Sequence, residues 1–134
     1  MQHIIQVAFF SIFLLILNAS GISQARIEIQ NNSMRELTVK VMRSDGGNGE
    51  LFTTVYISPN GSETVYFKDT GNYFTKTKAS LAKKKPICRK GDLFEVYNGS
   101  DGYSVLTLTL TIIESTVPKA SGGKEISEKE FNEN

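Results

Sequence analysis

The chain has 134 residues, with 15 lysines and arginines against 14 aspartates and glutamates, one histidine, one cysteine and no tryptophan. That length holds one domain. A net charge of +1 excludes both a globally basic nucleic-acid binder and a globally acidic polyelectrolyte.

The first feature along the chain is the apolar run from Ile4 to Leu17, interrupted only by Gln6 and Ser11. A membrane-spanning helix needs about 20 apolar residues, so the run is short for an anchor. It suits the hydrophobic region of a secretory signal peptide. Ser23-Gln24-Ala25 puts small residues where a signal peptidase reads them, which predicts a cut before Arg26. Met1-Gln2-His3 carries no lysine or arginine, and a retained signal anchor is therefore the competing reading. The expected organisation is a signal peptide over 1–25, a β-domain over 26–114 and a polar tail over 115–134. The mature protein would be secreted, periplasmic or part of the cell envelope, with no transmembrane segment.

Removing residues 1–25 leaves 109 residues carrying all 29 charges and 37 hydrophobic side chains. His3, the only histidine, leaves with the leader. A mature chain without imidazole lacks Ser-His-Asp and Cys-His catalysis and any His-ligated zinc or copper site. A single cysteine permits no internal disulfide, and Cys88 reads as a buried small hydrophobe or a free thiol. No catalytic residue and no cofactor is expected; an enzyme would have to find paired carboxylates among Asp45, Asp69, Asp92 and Asp101.

Beyond residue 25 the pattern has period two, and no convincing helix appears before residue 120. Ile27 and Ile29 alternate with Arg26, Glu28 and Gln30; Leu37, Val39 and Val41 alternate with Thr38 and Lys40. Further strands are predicted at 51–57, 63–68, 72–79, 92–97 and 103–114, with turn residues between most of them. About seven strands in this arrangement predict an all-β fold: a single antiparallel sandwich of immunoglobulin-like kind, or a small barrel. Face matching predicts a hairpin with Val55 opposite Val65, and another with Phe94 opposite Leu106 and Tyr97 opposite Tyr103. It also points Phe52, Tyr56, Tyr66, Tyr97 and Tyr103 away from the core. The last strand, with Leu106, Leu108 and Leu110 on one face and Thr107, Thr109 and Thr111 on the other, should be central. After it the composition becomes polar; a frayed tail is expected, with Ser127 and Glu130 at capping spacing for a short helix near 127–132.

Seven of the 15 basic residues fall between 76 and 90: Lys76, Lys78, Lys83, Lys84, Lys85, Arg89 and Lys90, with no acid among them. Such a segment suits an anionic glycan, a cell-surface polymer, a lipid head group or another protein. Equally, it suits an edge strand whose lysines deter aggregation. Glu125, Glu128, Glu130 and Glu133 in the tail could neutralise it from within the molecule. Tyr56 and Tyr66, expected on one face, add stacking or anchoring surface. Aromatic residues are not interleaved as an RNA-reading sheet requires, so nucleic acid is not an expected partner. The leading expectation is a non-catalytic exported binding module, and the alternative is a structural or assembly subunit. Asn31, Asn60 and Asn98 each head an N-x-S triplet and would accept glycans in a eukaryotic secretory pathway.

Overall fold

A computed structural model of the chain describes residues 7–8, 10–17, 24–115, 119–120 and 123–134. His3 and the Ser23 of the expected cleavage motif lie outside the described residues. The strands are β1 (Val7–Ala8), β2 (Phe10–Leu17), β3 (Ala25–Asn32), β4 (Glu36–Arg43), β5 (Glu50–Ile57), β6 (Ser62–Phe67), β7 (Gly71–Ser80), β8 (Ile87–Lys90), β9 (Phe94–Val96), β10 (Asn98–Gly99), β11 (Gly102–Thr111), β12 (Lys119–Ala120) and β13 (Lys124–Glu125). A single helix, α1 (Glu128–Asn132), closes the described chain.

Two sheets face each other over one core. In the first sheet β11 lies between β2 and β3, and β3 pairs in turn with β6; β10 extends the start of β11. In the second, the order is β13-β8-β7-β4-β5, with β9 also paired to β7. The alternation read from the sequence becomes burial. Ile27 and Ile29 from β3, Val65 and Phe67 from β6 and Leu106, Leu108 and Leu110 from β11 meet Leu37, Val39, Val41 and Tyr73 from the other sheet. Burying each such aliphatic side chain contributes on the order of 2 kcal/mol. The last strand lies between β2 and β3, the central position expected of it, although β2 belongs to the segment read as a leader. Its pairing with β3 is parallel, so the sandwich is not antiparallel throughout as expected.

Neither predicted hairpin forms. Strand β5 pairs with β4 in the second sheet, while β6 pairs with β3 in the first, so Val55 and Val65 approach the core from opposite sides. The turn after Ile57 carries the chain from one sheet to the other, with Asn60 at φ 61° and the amide of Gly61 donating to the Ser58 carbonyl. Likewise β9 joins β7, and a tighter pairing sets Asn98 opposite Tyr103 and Gly99 opposite Gly102. A bulge in β5 opposite Val41 and Met42 inserts Phe52 as an extra residue, which turns its ring onto Phe67 and Tyr73. Tyr103 is buried in the core. Both had been expected to point outward.

The end of the chain is ordered against the second sheet rather than frayed. Ser127 caps α1, its Oγ accepting from the Glu130 amide at 3.0 Å. Strand β13 pairs antiparallel with β8, opposing Lys124 to Lys90 and Glu125 to Arg89.

Candidate functional site: the basic outer face of the second sheet

Register decides which side chains share this face. Tyr56, Thr38 and Lys78 form one cross-strand row, and Thr54, Lys40, Lys76 and Lys90 the next. Cys88 lies opposite Lys78 on the same side. Tyr56 is 73% exposed and borders a groove of about 250 Å³ between β4 and the end of β7, lined also by Glu36, Thr38, Ser58 and Ser80. Just beyond Ser80, the loop joining β7 to β8 turns at Leu81–Lys84 and presents Lys83, Lys84 and Lys85 to solvent.

Tyr66 does not belong to this surface. It stands beside Arg26 on the outer face of the first sheet, so the two tyrosines expected to act together occupy opposite sides of the sandwich. The crossing between β5 and β6 separates them.

The chain's own C-terminal segment covers the middle of the basic face. The Nζ of Lys76 donates to the carbonyls of Glu130 and Glu133 at 3.0 and 2.7 Å. Lys40 donates to the Phe131 carbonyl at 2.8 Å and to Asn134 Oδ1 at 2.7 Å, with its ammonium over the Phe131 ring. Lys78 pairs with Glu128 at 2.6 Å. The two central lysines thus donate to carbonyls at the end of α1, where cations are favoured. Burial, and then the neighbouring charge of Lys76, lower the pKa of Lys40. Farther along, Arg89 donates to the Gly123 carbonyl, and Lys90 lies over the Phe74 ring.

Beneath this segment Cys88, Ile126 and Phe131 form a small apolar cluster of their own. The Ile126 amide donates to the Cys88 carbonyl at 3.0 Å. Burial is the main reason the Cys88 thiol pKa is raised, and the nearby carboxylate of Glu128 adds to it. The tail acids therefore act partly as the sequence foresaw, through Glu128, but Lys76 and Lys40 are held by backbone carbonyls, which no charge count reveals.

Two buried polar groups escaped sequence reasoning. Arg35 is fully buried and grips Glu114 through two bonds of 2.8 and 3.0 Å while donating to the carbonyls of Ala79 and Lys85. This fixes the base of the lysine-bearing loop to the end of the first sheet. Asn31, considered above as a glycan acceptor, is buried. Its Nδ2 donates to the carbonyls of Arg35, Ile57 and Ser58, which leaves no room for a sugar in the folded chain. Asn98 is held by the carbonyls of Phe67 and Lys68, whereas Asn60 is exposed.

Among the described residues no group of three or more His, Cys, Asp or Glu side chains could hold a metal ion. Asp45 uses its Oδ1 to accept from the amides of Gly47 and Gly49, bonds that lower its pKa. No helix among the described residues is long and apolar enough to cross a membrane. No family model matches this sequence, and neither a curated protein nor a solved structure shows significant similarity to it.

Proposed function

We propose that this chain is an exported, non-catalytic β-sandwich of immunoglobulin-like kind that docks an anionic partner through the basic outer face of its second sheet. The observation that carries the reading is the lysine row itself. Lys40, Lys76 and Lys78 each hold oxygen atoms of the acidic C-terminal segment, so this face is already built to receive oxygen ligands. Lys83, Lys84 and Lys85 add exposed charge on the loop that follows Ser80, a residue that lines the groove at Tyr56. The ligand class is a polyanion, a sulfated or uronic glycan or a cell-surface polymer, for which closely spaced ammonium groups supply the attraction.

Export rests on the leader read over 1–25, and the non-catalytic assignment on the lack of imidazole after its removal. Two sheets whose strands switch sides at short turns support the immunoglobulin-like description. The test is binding to a sulfated glycosaminoglycan across a salt series. Affinity should fall steeply with salt and be lost in K83E/K84E/K85E. Binding that persists at high salt, or survives the triple reversal, rules the reading out.

The alternative, an assembly subunit, draws on a different observation. Strand β11 runs for ten residues without a charge.

A further inference from the structure

One long edge in the molecule is closed by a segment the mature chain would lack. On the side away from β3, β11 is paired antiparallel with β2 over eight residues, from Tyr103 opposite Leu17 to Leu110 opposite Phe10. Residues 10–17 belong to the predicted leader. Its removal leaves the backbone groups of Tyr103–Leu110 without a neighbour along that whole side, in a conformation already suited to an antiparallel strand. Other strands guard themselves with charge: β5 begins with Glu50, β6 carries Glu63, and β8 ends in Arg89 and Lys90. Strand β11 has no charge, no proline and no bulge over the exposed stretch.

We infer that, in the mature protein, β11 pairs antiparallel with β11 of a second copy across a two-fold axis. This rests on the reading of 1–25 as a cleaved leader. The strand is self-complementary. When it is centred on Leu108, Leu106 opposes Leu110 of the second copy and Thr107 opposes Thr109. Every such pair joins like faces, because its leucines are buried on the core side and its threonines lie half-buried on the outer side. No like charges meet at the axis, and a charged partner strand would gain nothing from this edge. The dimer would be isologous, its sheets continuous through the pair. Because β11 belongs to the first sheet, both copies keep the lysine-bearing second sheet uncovered. The dimer then offers a polymeric anion two sites at once, which raises avidity without any new contact.

The experiment is to secrete the full precursor from a heterologous host, measure the intact mass of the product, and follow its molar mass by light scattering over a dilution series. A product beginning at Arg26 that doubles in mass at high concentration supports the inference, provided T107K/T109K stays monomeric with an unchanged circular dichroism spectrum. Hydrogen exchange supplies a second readout on the unaltered protein: amides of Tyr103–Leu110 should gain protection as concentration rises. A correctly cut product that stays monomeric, shows no such gain, or dimerises equally well as T107K/T109K overturns the pairing and leaves the leader reading intact. An uncut product overturns the leader reading, and the pairing with it; the intact mass tells the two failures apart.

Discussion

Lys76, in the middle of β7, reaches across the sheet surface to the carbonyl of Glu133, the residue that caps α1, at 2.7 Å. This bond joins the centre of the basic face to the last turn of the chain, so whatever loosens the tail uncovers the lysines. Phe131 is the apolar anchor of that turn. F131A should leave the two-sheet core folded and free Lys40 and Lys76, strengthening retention on an immobilised polyanion severalfold. Retention equal to that of the unaltered chain would show that the covered lysines take no part in binding.

Gly123 offers an independent way to release the same segment. It sits at φ 64°, and a Cβ there would collide with the Lys90 carbonyl. G123A should therefore detach β13 from β8 without altering any charge. Cys88 reports the change. In the native chain its thiol is covered by Ile126 and Phe131, and its pKa is raised chiefly by burial, so it should react slowly with a thiol reagent at neutral pH. Both G123A and F131A should accelerate that reaction well before global unfolding. Equal rates in all three proteins would mean that the segment does not shield the thiol.

The Arg35–Glu114 pair makes a prediction about stability. Replacing Glu114 leaves the fully buried Arg35 guanidinium uncompensated, at a cost of about 3–5 kcal/mol, while replacing Arg35 strands a carboxylate that is only part-buried and costs less. E114L should lower the thermal midpoint clearly and R35M less so, and a joint R35M/E114L replacement should recover much of the loss, as a double-mutant cycle would measure.

The same pair sets a pH dependence. Hydrogen bonds from Arg35 lower the pKa of Glu114 against the opposing effect of burial, and the charges of Arg35 and Lys84 lower it further. The unfolded chain therefore binds the proton first as the solution is acidified. The contribution of the pair is complete above the ordinary glutamate range and lost as pH falls through the depressed native value. Urea midpoints measured downward from neutral pH should decline in that window, and less so in E114Q.

Asn31 carries a further structural prediction. Its side chain ties β3 to the turn that moves the chain between sheets. N31A takes a donor from the buried carbonyls of Arg35 and Ile57, while the Ser58 carbonyl keeps its bond from Gly61; an unsatisfied buried group costs about 1–3 kcal/mol. It should destabilise the fold far more than N60A, which lies on the exposed turn; chemical denaturation of the two variants compares them directly.

The amino-acid sequence by itself determined that the chain is built of strands, where most of them run and which side of each is apolar. Period-two alternation follows directly from strand geometry. It also marked residues 76–90 as the basic segment and Cys88 as belonging to an extended stretch. Partnership was not legible in it. In a two-sheet fold an apolar stripe is satisfied equally by the strand beside it or by the sheet opposite. Val55 and Val65 therefore fit a hairpin on paper and belong to different sheets in the molecule, both packed on the same core. That ambiguity misplaced Tyr66, and one inserted residue at Phe52 reversed a face that alternation had assigned outward. Tertiary structure alone decided that Tyr56 joins the lysines, that Arg35 and Asn31 are interior, and that the acidic tail lies on the basic face. Those arrangements depend on register and on backbone carbonyls contributed by distant segments. Such acceptors occur at every residue, and only the folded chain selects which of them a given lysine, arginine or asparagine meets.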